Sequence, residues 1–411
     1  MSSKEKTIGM KEGGKPTLVP KLRFPEFRKS LAWEMKPLSA GLDYLQPTPY
    51  LVSDTSYRPI YKTPVLTAGK TFILGYTNEE HGIFRDGLPV IIFDDFTTAS
   101  QFVDFPFKAK SSAMKILQAK NGSNIKFMFE ALQMLSFEVG AHERHWISVF
   151  APMLVAVPKP CEQQKIAECL SSVDEAIAAQ ARKVDALKKH KKGLMQQLFP
   201  QEGETQPHLR FPEFRNDRGW AEVRLDKLGE LISGLTYSPD DVRESGLLVL
   251  RSSNVQNGRI ALGDDVYVDP AIKGANLSQP NDILICVRNG SKALIGKSAL
   301  IPEGLPLCTH GAFMTVFRAQ TPGFVFQLLQ TTRYHKQVAG DLGATINSIN
   351  GSQLLKYKFY IPSLPEQYRI ADFLGNLDAL LCTETKKLEN LARHKRGLMQ
   401  QLFPSPLEVE A

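Results

Sequence analysis

Apolar residues recur in alternating steps of four and three at Ile166, Leu170, Val173, Ile177, Val184, Leu187, Leu194 and Leu198, and Gln180 and Lys191 fill the remaining seam positions. The seam returns at Ile370, Leu374, Leu377, Leu381, Leu388, Leu391, Leu398 and Leu402, with Glu384 and Lys395 at the matching polar places. A heptad kept up for this length predicts two long paired helices, the polar seam residues setting register at some cost in stability. Each helix runs to about 36 residues, or about 54 Å. Gly193 and Gly397 either lie inside their helices at a cost of about 1 kcal/mol or mark C-caps followed by separate short helices. The chain enters the second module from the C-terminal end of the first helix. Antiparallel pairing about a pseudo-twofold axis, a rod that spaces two modules, is therefore the economical arrangement; the alternative is a solvated helix pair that only stiffens the chain.

The stretches ahead of the helices carry a strand pattern. In the second, Leu247-Leu-Val-Leu-Arg-Ser, Asp282-Ile-Leu-Ile-Cys-Val-Arg and Tyr357-Lys-Phe-Tyr-Ile read as strands, divided by turns at Asn257-Gly and Arg288-Asn-Gly. In the first, Pro89-Val-Ile-Ile-Phe and Phe105 to Ser112 read as strands, and Thr67 to Thr71 and Gly75 to Thr77 as strand and turn. Ile125 to Leu135 and Phe324 to Val338 read as helices. The expected fold is α+β: two α/β modules separated by two long antiparallel coiled-coil helices.

The chain is written twice. Leu22-Arg-Phe-Pro-Glu-Phe-Arg28 returns as Leu209 to Arg215, Trp33 as Trp220, and His190-Lys-Lys-Gly-Leu-Met-Gln-Gln-Leu-Phe-Pro200 as His394 to Pro404 with one change. Between these constant ends the two copies diverge, from Leu38 to Leu154 and from Leu225 to Tyr360, so the inserts are expected to read different things. The boundaries that follow are a polar tail 1–20, a module 21–156, a helix 157–200, a linker 201–208, a second module 209–360, a second helix 361–404 and a tail 405–411.

A net charge of +7 over 411 residues suits a polyanionic partner and suits solubility equally well. Five cysteines without a Cys-x-x-Cys pair indicate neither disulfides nor zinc, and are expected to be reduced and mostly buried. A polar start and the absence of a long apolar run point to the cytoplasm and away from a membrane. Gly290-Ser-Lys-Ala-Leu-Ile-Gly-Lys-Ser298 approaches a phosphate loop but has one residue too many between its glycines. Asp94-Asp95 after an apolar strand looks like a metal-holding end and reads better as a capped turn. No pattern for adenine methylation, acyl transfer or DNA cleavage emerges, so no catalytic residue and no metal site is expected.

The two helices, their Gly-Leu-Met-Gln-Gln-Leu-Phe-Pro endings, and the helix-leading segments Val157-Pro-Lys-Pro-Cys-Glu-Gln-Gln-Lys-Ile-Ala167 and Ile361-Pro-Ser-Leu-Pro-Glu-Gln-Tyr-Arg-Ile-Ala371 resemble those of type I restriction-modification specificity subunits. Asp94 to Thr98, Lys110 to Ser112 and Gly343 to Ile346 also resemble family segments; Cys161, where the second copy has Pro365, departs from the pattern. The resemblance implies two target-recognition domains, each reading half of a split site in double-stranded DNA, and helices that bind two methyltransferase subunits. It also implies restriction/translocase subunits, with S-adenosylmethionine, ATP and Mg held by the partners and no cofactor in this chain.

Polar and basic residues beside turns are the candidate readers. In the first module they are Lys70, Tyr76, Thr97, Thr98, Lys110, Ser111, Arg144 and His145. In the second they are Arg251, Ser253, Asn254, Arg288, Asn289, Ser291, Lys292 and Asn347. Each is equally a solvated loop residue or a structural hydrogen-bonder, and the run Lys188 to Lys192 faces phosphate, an acidic partner or only solvent. The rival function is a coiled-coil scaffold that binds protein without reading DNA.

Overall fold

The computed structural model describes residues 18–69, 71–120, 122–135, 144–342 and 347–404. They form two compact units: the described residues up to Ala181 together with those from Lys387 onward, and Arg182 to Lys386. Each unit holds one module and part of both long helices.

In the first unit a two-stranded antiparallel ribbon, Glu34–Pro37 on Leu154–Val157, closes the base of the module, with Glu34 opposite Val157 and Pro37 opposite Leu154. Everything between these strands is the divergent insert. Its main sheet runs Leu42–Leu45, Met114–Ala119, Val90–Asp94, Ser100–Val103, all antiparallel. A second sheet orders Ile73–Thr77, Thr63–Leu66 and Lys108–Ala109, the last pair parallel. The run Val-Ile-Ile-Phe at 90–93 is wholly buried because alternate side chains feed two cores. Ile91 and Phe93 join Leu117 and Trp146, whereas Val90 and Ile92 join Ile116 and Phe107. The helix Ile125–Gln133 starts where the Asn124 side chain accepts the Phe127 N–H.

The second unit repeats this plan in different residues. Ala221–Arg224 pairs with Lys358–Ile361. The main sheet again begins Gly229–Ser233, Met314–Ala319, Ile283–Cys286, Ser298–Leu300, and Leu247–Leu250 again lies parallel to Cys308–His310. Ile283 and Ile285 serve one core and Leu284 and Cys286 another. A hairpin of Val255–Gln256 and Arg259–Ile260 extends this sheet, turned by Asn257 and Gly258 at φ 52° and 76°.

The repeated sequences are the frame of both modules. Arg23 sends Nε and one terminal nitrogen to the two carboxylate oxygens of Glu162 at 2.7 Å each, and the Trp33 indole joins them at 3.2 Å. Arg210, Glu366 and Trp220 rebuild this cluster in the second unit at 2.9, 2.6 and 3.3 Å. The Phe of each Leu-Phe-Pro ending packs beside that tryptophan: Phe403 lies 6.1 Å from Trp33 and 5.3 Å from Phe127, and Phe199 lies 6.1 Å from Trp220 and 5.8 Å from Phe324. The Leu22 N–H bonds the Gln401 carbonyl and the Leu209 N–H the Gln197 carbonyl, both at 2.9 Å, so each repeat opening docks on a helix ending.

The long helices run unbroken from Pro160–Leu198 and Leu364–Leu402, 39 residues each. Separate short helices after Gly193 and Gly397 are therefore not found. Residues beyond each glycine are anchored by burial, Leu198 and Phe199 in one unit and Leu402 and Phe403 in the other, which offsets the cost of glycine. Within the second unit the pairing is antiparallel, with Lys183 on Glu384 at 2.6 Å and Lys191 on Asp378 at 2.5 Å. Lys395 on Asp174, at 2.8 Å in the first unit, is the counterpart of the latter. Burial pushes the Asp174 carboxyl up, but the ammonium groups of Lys126 and Lys395 outweigh it and hold the acid below its usual range.

Three further expectations change. The strand expected over Phe105 to Ser112 shrinks to Lys108–Ala109. The helix expected over Phe324 to Val338 is two, Pro322–Leu328 and Thr332–Asp341, because the Thr331 side chain accepts the Tyr334 N–H and caps a new start. All five cysteines are free thiols, yet only Cys286 and Cys308 are buried and Cys161 is exposed, since it falls on the outer face of a helix start.

Candidate nucleic-acid interface

In the first module the expected loops converge on one buried carboxylate. Asp95 is 1% exposed, lies 3.2 Å from the Lys115 ammonium and accepts the Trp146 N–H at 2.8 Å. Its N–H bonds the Ala113 carbonyl and its carbonyl takes the His145 N–H. The turn at 94–98, the segment at 111–113 and the segment at 144–146 are thereby tied together. Asp94 is the capped turn expected of it: one oxygen accepts the N–H groups of Phe96 and Thr97 at 3.0 and 2.8 Å. This leaves Thr97 exposed and holds Thr98 at φ 57°.

Ser111 uses its hydroxyl to accept the Ala113 N–H at 3.1 Å, and Arg144 is exposed. Tyr76 and Lys110 are half-buried, the Lys110 ammonium lying 6.0 Å from the Tyr57 ring. Lys70 and the Gly343 to Ile346 segment lie outside the described residues. His145 is 5% exposed beside Asp95, and its backbone N–H bonds the Asp95 carbonyl at 2.9 Å.

The second module gathers its candidates more tightly. The Asn289 side chain donates to the Ser252 hydroxyl at 3.0 Å and accepts the Ser291 N–H at 2.9 Å, and its backbone N–H bonds the Asn347 carbonyl. Asn347 in turn donates to the Gly290 carbonyl at 3.1 Å. Arg288, Ser291, Lys292 and Ser253 are left exposed around this knot. Arg251 pairs with Asp264 at 2.8 Å. Asn254 is 1% exposed, and its side chain accepts the Arg251 N–H and donates to the Ala261 carbonyl, which holds its own turn.

Asp95, Lys115 and Phe313 are not among the residues that polarity and turn position select. Asp95, in the turn after Val90–Asp94, meets Lys115 of the strand Met114–Ala119, a contact with no local signal. Phe313 is 58% exposed with the Arg288 guanidinium 5.7 Å from its ring centroid, and being apolar it carries no polar signal. Behind it His310 is buried between the Ser278 hydroxyl at Nδ1 and the Ile232 carbonyl at Nε2, and burial lowers its pKa.

The near phosphate loop continues into the strand Ser298–Leu300, where a phosphate loop would enter a helix. Among the described residues no group of three or more His, Cys, Asp or Glu is placed to hold a metal ion, and no helix is long and apolar enough to cross a membrane.

Residues 217–393 match the family model described as the type I restriction modification DNA specificity domain. The chain is 31% identical over 374 residues to the EcoR124I/EcoR124II specificity subunit of Escherichia coli, covering 86% of this chain and 89% of that one. Over 195 residues it is 30% identical to the EcoKI specificity subunit of Escherichia coli K12, covering 45% of this chain and 42% of that one. Its fold is similar to the crystal structure of a type I restriction-modification S subunit from M. genitalium, with a TM-score of 0.65 at 17% identity, covering 94% of this chain and 99% of that one.

Proposed function

This chain belongs to the type I restriction enzyme specificity subunits, and from that premise we propose that its two modules each read one half of a split site in duplex DNA. The family's work is sequence-specific DNA recognition within a restriction-modification complex. The observation that carries the division of labour is one fold built twice with unlike loops: the 94–98, 111–113 and 144 segments gathered on Asp95 in one module, and the 288–292 and 347 segments knotted by Asn289 in the other. A frame kept constant under changing loops is what two different half-sites require.

In this reading the exposed Thr97, Arg144, Arg288, Ser291 and Lys292, with Lys110 and Asn347, face base edges and phosphates. The long helices hold two methyltransferase subunits, and translocating restriction subunits join them in the cytoplasm. S-adenosylmethionine, ATP and Mg then act on those partners, and this chain contributes recognition without catalysis.

Binding of the assembled complex to site-bearing and scrambled duplexes at 50 and 200 mM salt, concentrations chosen to span a steep electrostatic response, tests the proposal. Preference for the site at both concentrations, with affinity falling steeply on both duplexes as salt rises, is the expected result. Equal, salt-insensitive binding of the two duplexes identifies a protein scaffold instead.

A further inference from the structure

We propose that Phe313 reads the C5 methyl group of a thymine in the half-site met by the second module. The inference rests on that loop cluster being a DNA surface, and adds a specificity-determining residue of a chemistry the polar loops lack. The ring is 58% exposed, but the backbone beneath it is tightly held. Gly311, Ala312 and Met314 N–H groups bond the carbonyls of Leu250, Leu235 and Gly311 at 3.0, 2.8 and 2.8 Å. The Phe313 carbonyl accepts both the Val287 and the Arg288 N–H at 3.0 Å. An apolar group is thus fixed at the rim of a polar cluster, with Arg288 against its face.

The first module shows that the fold does not need this ring. There the same turn closes with the Met114 N–H on the Ser111 carbonyl at 3.2 Å, and the Ala113 carbonyl accepts the Asp95 N–H at 3.1 Å. Ala113, 9% exposed, stands where the second module has Phe313. One turn in one place in both folds carries a methyl in one and a projecting phenyl in the other, so the phenyl serves something outside the chain. On the major-groove edge of the bases the thymine methyl is the apolar feature, and aromatic or methyl side chains meet it. Arg288 beside the ring is suited to an adjacent guanine or phosphate.

The test uses the assembled complex and duplexes in which each thymine of the recognised site is replaced in turn by deoxyuridine, which removes only the methyl. One replacement is expected to weaken wild-type binding about 4-fold, the worth of one buried methyl-sized group. Phe313→Ala should bind the thymine duplex as weakly as wild type binds that deoxyuridine duplex and ignore the replacement, while Phe313→Leu keeps part of the discrimination. Wild-type indifference at every thymine overturns the proposal, as does a Phe313→Ala complex that still senses the methyl. A Phe313→Ala chain that no longer assembles with its partner subunits overturns it too, by assigning the ring to a protein interface. Failure of the DNA reading itself looks different: wild type would no longer prefer the recognised site to a scrambled duplex.

Discussion

Glu162 and Glu366 are 2% and 1% exposed, and each is met by an arginine fork and an indole N–H contributed by the opening of a repeat. The carboxylate hydrogen bonds hold both guanidinium groups above their ordinary pKa against the opposing effect of burial. A buried pair of this kind adds little over a well-packed apolar replacement, but losing one partner strands the other charge. Glu366→Ala should therefore cost about 3–5 kcal/mol, read as a lower urea midpoint, and Glu366→Gln should cost less because it still accepts from Trp220. An unchanged midpoint for the alanine variant would mean that water reaches Arg210 and that the cluster does not join the helix start to the module.

At the scale of elements, glycines separate tolerance from necessity. A Cβ built on Gly193 or Gly397 meets no heavy atom within 4 Å, although both lie inside continuous helices. Gly193→Ala should then raise stability by about 0.5–1 kcal/mol, the usual difference between the two residues in a helix. Gly229 opens a sheet strand where a Cβ would sit 2.2 Å from the Arg318 carbonyl oxygen. Gly229→Ala must push two paired strands apart and should lower the thermal midpoint. Both variants read in one thermal melt, with opposite signs, check the assignment; a destabilising Gly193→Ala would show that the space beside Gly193 is not open.

For the whole molecule the ribbons at Glu34–Pro37 with Leu154–Val157 and at Ala221–Arg224 with Lys358–Ile361 explain where the repeats stop resembling each other. Constant frame lies outside each ribbon and divergent fold inside it. Replacing residues 38–153 by the insert of a related subunit leaves both ribbon strands and the Arg23, Trp33 and Glu162 cluster untouched. Methylation mapped across a genome should then change in one half of the site only. Change in both halves would mean that the modules do not read independently.

The heptads, the repeat and the main strand runs were legible in the sequence because they depend on neighbours within one or two turns or along one strand. So was the capped turn at Asp94, whose partners are two and three residues away. Family membership was legible for a similar reason: the frame residues recur in place. Tertiary structure alone decided what depends on distant segments meeting. It buried His145 and Asn254, which polarity and turn position had nominated as readers, because enclosure is a property of packed neighbours. Asp95 became the hub of three loops by bonding Ala113, His145 and Trp146, and Phe313 was left outside on a turn whose backbone bonds reach Leu235, Leu250 and Arg288. Periodicity records which face of an element turns inward, whereas the polar groups that stay on the surface are chosen by contacts far apart in the chain.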